Sequence, residues 1–111
     1  ILHSDESAET LINKVKFYEF CVQKNIPTPK IIVYNEKQLF HDFKQSFEIK
    51  DVRQFMELAK AWILASKHQS IFIKPVDGKG GANAYRLDLN SHEAEFNTVF
   101  NAIITAHYII Q

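Results

Sequence analysis

The sequence predicts an α+β domain in which helices flank a mixed, mostly antiparallel sheet. Three observations carry that prediction. Stretches with helical spacing of apolar residues recur, each with its own start or stop residues. Short runs rich in branched side chains fall between them. Two of those runs, Ile71-Phe72-Ile73 and Tyr85-Arg86-Leu87, flank the only glycines in the chain, Gly78, Gly80 and Gly81, which reads as a hairpin and not as a crossover. With 111 residues, the chain corresponds to a single domain, 1–111, or a piece of one. An apolar share of 46%, including nine phenylalanines and one tryptophan, is enough to fill a core. The chain opens at Ile1 and closes at Ile109-Ile110-Gln111 in strand-like composition, so a fragment of a larger protein is expected.

The elements follow in order. Asp5 and Glu6 precede a helical stripe of Leu11, Val15, Tyr18 and Val22, and carboxylates suit the positive end of a helix. Asn25, Pro27 and Pro29 end it, because the residue before a proline avoids the helical region. Ile31 to Tyr34 reads as a strand. Asn35 with Gln38 has capping-box spacing, which predicts a short helix with Phe40, Phe43 and Phe47 facing inward. Asp51 with Gln54 repeats that spacing before a helix bearing Val52, Phe55, Ala59, Trp62 and Ile63, ending near His68. The unbroken apolar run Ile71-Phe72-Ile73 predicts a strand covered on both faces. Tyr85, Leu87 and Leu89 alternate with Arg86 and Asp88, as in a half-buried strand. Asn90 and Glu93 would cap a last helix carrying Phe96, Val99, Phe100 and Ile103, and Tyr108-Ile109-Ile110 closes as a strand. The predicted order is helix, strand, helix, helix, strand, strand, helix, strand.

Composition excludes several functions. Thirteen basic and thirteen acidic residues cancel, so no basic field invites nucleic acid. A single cysteine, Cys21, rules out an intrachain disulfide and fits a reducing, cytoplasmic setting; its place among apolar residues reads as a buried, inert thiol. No apolar stretch reaches the roughly 20 residues of a membrane span. The five histidines are scattered, and His92-Glu93-Ala94-Glu95-Phe96 misses the zinc pattern HExxH at its last position. GxxxxGK[ST] is absent, since Gly80 follows Lys79, and GxGxxG fails at Asn83.

What remains is a strand that delivers Lys74, a proline that stops it, and the loop Gly78-Lys79-Gly80-Gly81. A rigid strand aims a compact charge, and glycines let backbone N–H groups approach a phosphate. The plain alternatives are an edge-strand lysine with a glycine turn and, for Lys14, a solvated helix lysine.

The run Phe72-Ile73-Lys74-Pro75-Val76-Asp77-Gly78-Lys79-Gly80-Gly81 resembles the central strand and flexible loop of the ATP-grasp proteins. Asn13-Lys14-Val15-Lys16 followed by Asn25-Ile26-Pro27-Thr28-Pro29 is similar to that family's DK…G(I/V)PxP segment, and Tyr108-Ile109-Ile110-Gln111 to its strand entering the adenine hinge. The resemblance spans residues 11–111. It implies the first lobe of an ATP-grasp fold, with Lys14 and Lys74 as the two phosphate-contacting lysines. The loop Gly78, Lys79, Gly80 and Gly81 would close over the ATP phosphates, and Gln111 would begin the adenine pocket. It implies ATP with Mg2+, the metal ligands lying beyond Gln111, and no catalytic residue within 1–111. The whole enzyme would activate a small or sugar-linked carboxylate as an acyl phosphate for attack by a nucleophile. The phrasing looks closest to the sugar-transfer or glutamate-ligase-like branches. Two departures stand out: Asn13 where the family usually has an acid, and Ala82-Asn83-Ala84 after the double glycine. An inactive binding module and an unrelated α+β interaction domain are the alternative readings.

Overall fold

The computed structural model describes residues 6–76 and 84–111, with side chains from residue 9 onward. Helix α1 (Glu6–Gln23) turns Leu11, Val15 and Cys21 inward. Its expected fourth position, Val22, is 53% exposed, because the buried stripe continues three residues beyond Tyr18 to Cys21. Asn25 adopts φ 58°, and the N–H groups of Ile26 and Asn25 bond the carbonyls of Cys21 and Val22. That is a left-handed terminus of the Schellman kind, which Asn tolerates, and it directs the chain into Pro27 and Pro29.

Where a short helix was expected after Asn35, the chain makes two hairpins. β1 (Val33–Glu36) pairs antiparallel with β2 (Leu39–His41), and β2 with β3 (Ser46–Glu48). The Glu36–Leu39 pairing leaves Lys37 and Gln38 as the turn, with Lys37 at φ 56°. Asn35 is no cap. It is buried, its amide donates to the carbonyls of Lys37, Ile103 and Ala106, and its Oδ1 accepts from the N–H of Tyr108. Phe43 has φ 74°, which a right-handed helix cannot contain. Of the expected inward trio, Phe40 is fully buried and Phe47 partly so, while Phe43 is 39% exposed.

Helix α2 (Val52–Ala65) begins as expected: the Asp51 carboxylate accepts from the N–H of Gln54, and the Lys50 N–H donates back to Gln54 Oε1. It ends at Ala65, short of His68, where the Ser66 hydroxyl donates to the Ile63 carbonyl and accepts from the Ser70 N–H. β4 (Ser70–Pro75) and β5 (Tyr85–Asp88) form the expected hairpin, in register Ile73–Tyr85. The loop residues Gly78, Lys79, Gly80 and Gly81 lie outside the described residues. Leu89 falls beyond β5 in a turn and is 44% exposed. Helix α3 (Glu93–Ile103) buries Phe96, Val99, Phe100 and Ile103 as its periodicity predicts, but His92, not Asn90, is its N-cap, with the Glu95 carboxylate accepting from the His92 N–H. β6 (His107–Ile110) is buried throughout.

Among the described residues the strands join one sheet in the order β3-β2-β1-β6-β4-β5, every neighbouring pair antiparallel. This is the predicted α+β class. The main core lies between one sheet face and the pair α2 and α3, where Phe40, Phe55, Phe96, Ile63, Ile71 and Ile110 are fully buried. Each such side chain stabilises the fold by roughly 1.5–3 kcal/mol relative to exposure. A smaller cluster of Leu11, Val15, Ile31, Val76 and Ile109 seats α1 on the opposite face. That cover is partial. Phe72, expected between two layers, is 45% exposed because α1 packs over β6 and does not reach across its side of β4. No helix among the described residues is long and apolar enough to cross a membrane.

Candidate functional site

The strand alternation of β4 sends Ile71 and Ile73 into the main core and leaves Phe72 and Lys74 on the opposite face. Residues facing each other across an antiparallel ladder share a sheet face. Lys74 faces Ile109 on β6, and Ile109 faces Tyr34 on β1, so a row runs across three strands. Helix α1 buries the middle of that row, Ile109, beneath Leu11 and Val15. Lys74 stands where the cover ends. Its strand lies between β6 and β5, so it is not an edge-strand lysine.

On α1, residues three and four apart present one flank. Thr10, Asn13, Lys14 and Phe17 form such a flank beside the buried stripe, and with Thr28, Pro29, Lys74, Ile109 and Gln111 they line a cleft of about 550 Å³. Two lysines 60 residues apart in sequence thus open onto one space, with Gln111 at its side. Among its described lining residues the charged side chains are Lys14 and Lys74, with no carboxylate side chain. Neither lysine has an ion-pair partner among the described residues. A cleft lined by one sign of charge and walled by apolar groups concentrates ions of the opposite sign. Anions are what this one can hold.

A second cleft of about 710 Å³ adjoins it and shares Pro29, Lys74 and Gln111. Its other walls include the Trp62 and Phe72 rings, with Lys30, Lys67 and His68 at the rim. Gln111 is fixed between the two clefts because it extends the β6–β4 ladder: its N–H donates to the Phe72 carbonyl at 2.8 Å, and its carbonyl accepts from the Phe72 N–H at 3.0 Å. Both clefts combine lysines with aromatic rings, Phe17 and Tyr18 in the first and Trp62 and Phe72 in the second, and Lys74 and Gln111 belong to both.

Of the residues expected to bind, Lys14, Lys74 and Gln111 are brought together, and Gly78, Lys79, Gly80 and Gly81 lie outside the described residues. Phe17, Thr28, Trp62 and Phe72 were missed as lining groups. Phe17 carried a signal, being an aromatic three residues from Lys14 yet off the buried stripe, and it is 64% exposed. Trp62 and Phe72 carried none, since both sit in patterns that read as core. Among the described residues no three His, Cys, Asp or Glu side chains gather as a metal site. At the β1 end of the row, the pKa of the Tyr34 hydroxyl is raised above its ordinary value by burial first, then by the carboxylates of Glu19 and Glu36.

No protein-family model, no curated protein and no solved structure matches the chain.

Proposed function

We propose that this chain is the nucleotide-binding lobe of an ATP-grasp ligase-like enzyme, with the triphosphate of ATP between Lys14 and Lys74 and the base toward the adjoining cleft walled by Trp62 and Phe72. The observation that carries the reading is the convergence of Lys14, Lys74 and Gln111, which the resemblance singled out from distant segments, on one cleft free of described carboxylate side chains. A lysine ammonium is a compact charge with three donors that can follow phosphate oxygens as they shift. Lys74 is carried by an interior strand and Lys14 by a packed helix, so both charges are aimed before a ligand arrives. Gln111 joins the two clefts, which suits a ligand with an anionic end and a planar end.

Bound ATP supplies the phosphoryl group that activates a carboxylate, small or sugar-linked, for attack by a nucleophile. The chain's own part is to neutralise phosphate charge through Lys14 and Lys74 and to wall the ligand from water with Phe17, Trp62 and Phe72. Mg2+ belongs to the same proposal, with its ligands outside the residues described here, as does a cytoplasmic location. The isolated chain is expected to bind ATP feebly and to have no ligase activity, so the test is titration of the complete protein with MgATP, followed through the amide chemical shifts of this lobe. Charged hydrogen bonds are worth roughly 1.5–3 kcal/mol, so Lys14→Ala and Lys74→Ala should each weaken binding about tenfold to a hundredfold. Binding that is unmoved by both substitutions would sink the proposal. ADP release by the enzyme containing this lobe, assayed against candidate acids, separates a ligase from a module that only holds nucleotide.

A further inference from the structure

Away from the lysine cleft, the β1–β2–β3 meander lines up a carboxylate, an imidazole and a hydroxyl. His41 Nδ1 lies 2.6 Å from Ser46 Oγ, and His41 Nε2 lies 3.1 Å from Glu36 Oε1. His41 and Ser46 face each other across the β2–β3 ladder, and Glu36 comes from the neighbouring strand, so backbone pairing holds the three. The Tyr34 ring stacks on the imidazole at 4.9 Å and 25°, leaving the His41 side chain 18% exposed. An ionised carboxylate only accepts, so the neutral imidazole donates Nε2–H to Glu36. Nδ1 is then the lone pair that faces the Ser46 hydroxyl. A groove of about 270 Å³ opens beside Ser46, walled by Tyr34 and Phe43 and carrying one carboxylate, Glu19, and one ammonium, Lys44.

We infer that Ser46 is a nucleophile toward small, neutral carboxylic esters, with His41 as its base and Glu36 as the residue that orients His41. Ser46 Oγ bonds to the ester carbonyl carbon while its proton passes to His41 Nδ1. The carbonyl oxygen takes up negative charge beside the Lys44 ammonium. The bond from that carbon to the leaving oxygen then breaks, and His41 returns the proton to the departing alkoxide. The products are acyl-Ser46 and an alcohol; water, its proton taken by His41, then bonds to the acyl carbon, the bond to Ser46 Oγ breaks, and the carboxylic acid leaves as the serine regains its proton. The balanced charge of the groove and its small volume favour a short, uncharged acyl group over a phosphorylated one.

The chain is treated with p-nitrophenyl acetate while nitrophenolate release is followed, and the acetylated peptide is then mapped by mass spectrometry. Acetyl on Ser46 and an initial burst are expected. Ser46→Ala abolishes both, and Ser46→Cys keeps the acetyl group at position 46. His41→Ala slows the burst by about a hundredfold, the usual share of a general base, and added imidazole restores part of it. Glu36→Gln slows it less, and Glu36→Asp recovers it. Far-UV circular dichroism confirms that each variant is folded. Acetyl found only on lysines, an undiminished burst in folded Ser46→Ala, or no rescue by imidazole overturns the inference.

Discussion

At the scale of single residues, two side chains show how local rules yield to the surrounding fold. Phe43 is an aromatic residue at φ 74°, a conformation that costs a non-glycine residue roughly 1–2 kcal/mol. Its ring meets Tyr18 at 5.6 Å and Tyr34 at 5.3 Å, pairs worth about 0.5–1.5 kcal/mol each. The two contributions are of similar size, so Phe43→Gly should stay within about 1 kcal/mol of the parent, whereas Phe43→Ala keeps the strain, loses the rings and falls about 1 kcal/mol lower still. Urea midpoints check the order of the three proteins. Asn35 is the second case. Its amide ties β1 to the carbonyls of Ile103 and Ala106 and to the N–H of Tyr108, joining the end of α3 to the start of β6. Asn35→Ala removes those bonds at a cost of about 3 kcal/mol, at roughly 1 kcal/mol per bond. A loss under about 1 kcal/mol would mean that water replaces them.

At the scale of elements, the chain uses carboxylates as turn acceptors. Asp42 Oδ1 accepts from the N–H groups of Gln45 and Lys44, which closes the turn between β2 and β3. Those two bonds, Gln45's first, hold the Asp42 carboxyl below its ordinary value of 3.8. A carboxyl whose folded value is depressed contributes stability that is fully present above its unfolded value. That contribution is lost as pH falls through the folded value. Acidification below 3.8, through the lowered folded value, should therefore loosen this turn, and the protection of the Lys44 and Gln45 amide protons relative to their intrinsic exchange rates should fall there. Asp42→Asn, which keeps an acceptor but does not titrate, should lose the pH dependence. Asp88 plays the same part after β5, lowered first by the N–H of Asn90 and then by Arg86.

At the scale of the whole molecule, coverage of the sheet is unequal. One face is sealed by α2 and α3, while α1 covers the other chiefly over β6, so Lys74 and Phe72 emerge beside its edge. The lysine cleft exists because of that shortfall. On the proposed function, Lys74→Ala in the complete protein should lower the rate of ADP formation by tenfold or more, while Lys79→Ala, whose backbone is proposed to matter more than its ammonium, should lower it far less. Equal losses in a steady-state assay would count against these roles.

Periodicity was a sound guide where one element buried one face. The stripe of α3, the Asp51 cap and the β4–β5 hairpin were all legible, because the forces behind them act over a few residues. Between Asn35 and Phe47 it misled. Phe40, Phe43 and Phe47 have helical spacing, and Asn35 with Gln38 has the spacing of a cap, yet three of the four partners of Asn35 lie about seventy residues away. Local pattern cannot register a hydrogen bond to the far end of the chain.

The order of chain signals by itself determined the α+β class and most of the helices and strands, and it marked Lys74, while the resemblance to the ATP-grasp proteins added Lys14 and Gln111 as residues to watch. Only tertiary structure decided that these three share one cleft, that aromatic walls adjoin it, and that Glu36, His41 and Ser46 meet on another part of the sheet. Burial patterns are written in neighbouring residues, whereas a site is made where strands distant in sequence lie side by side, and ladder register sets which side chains meet there.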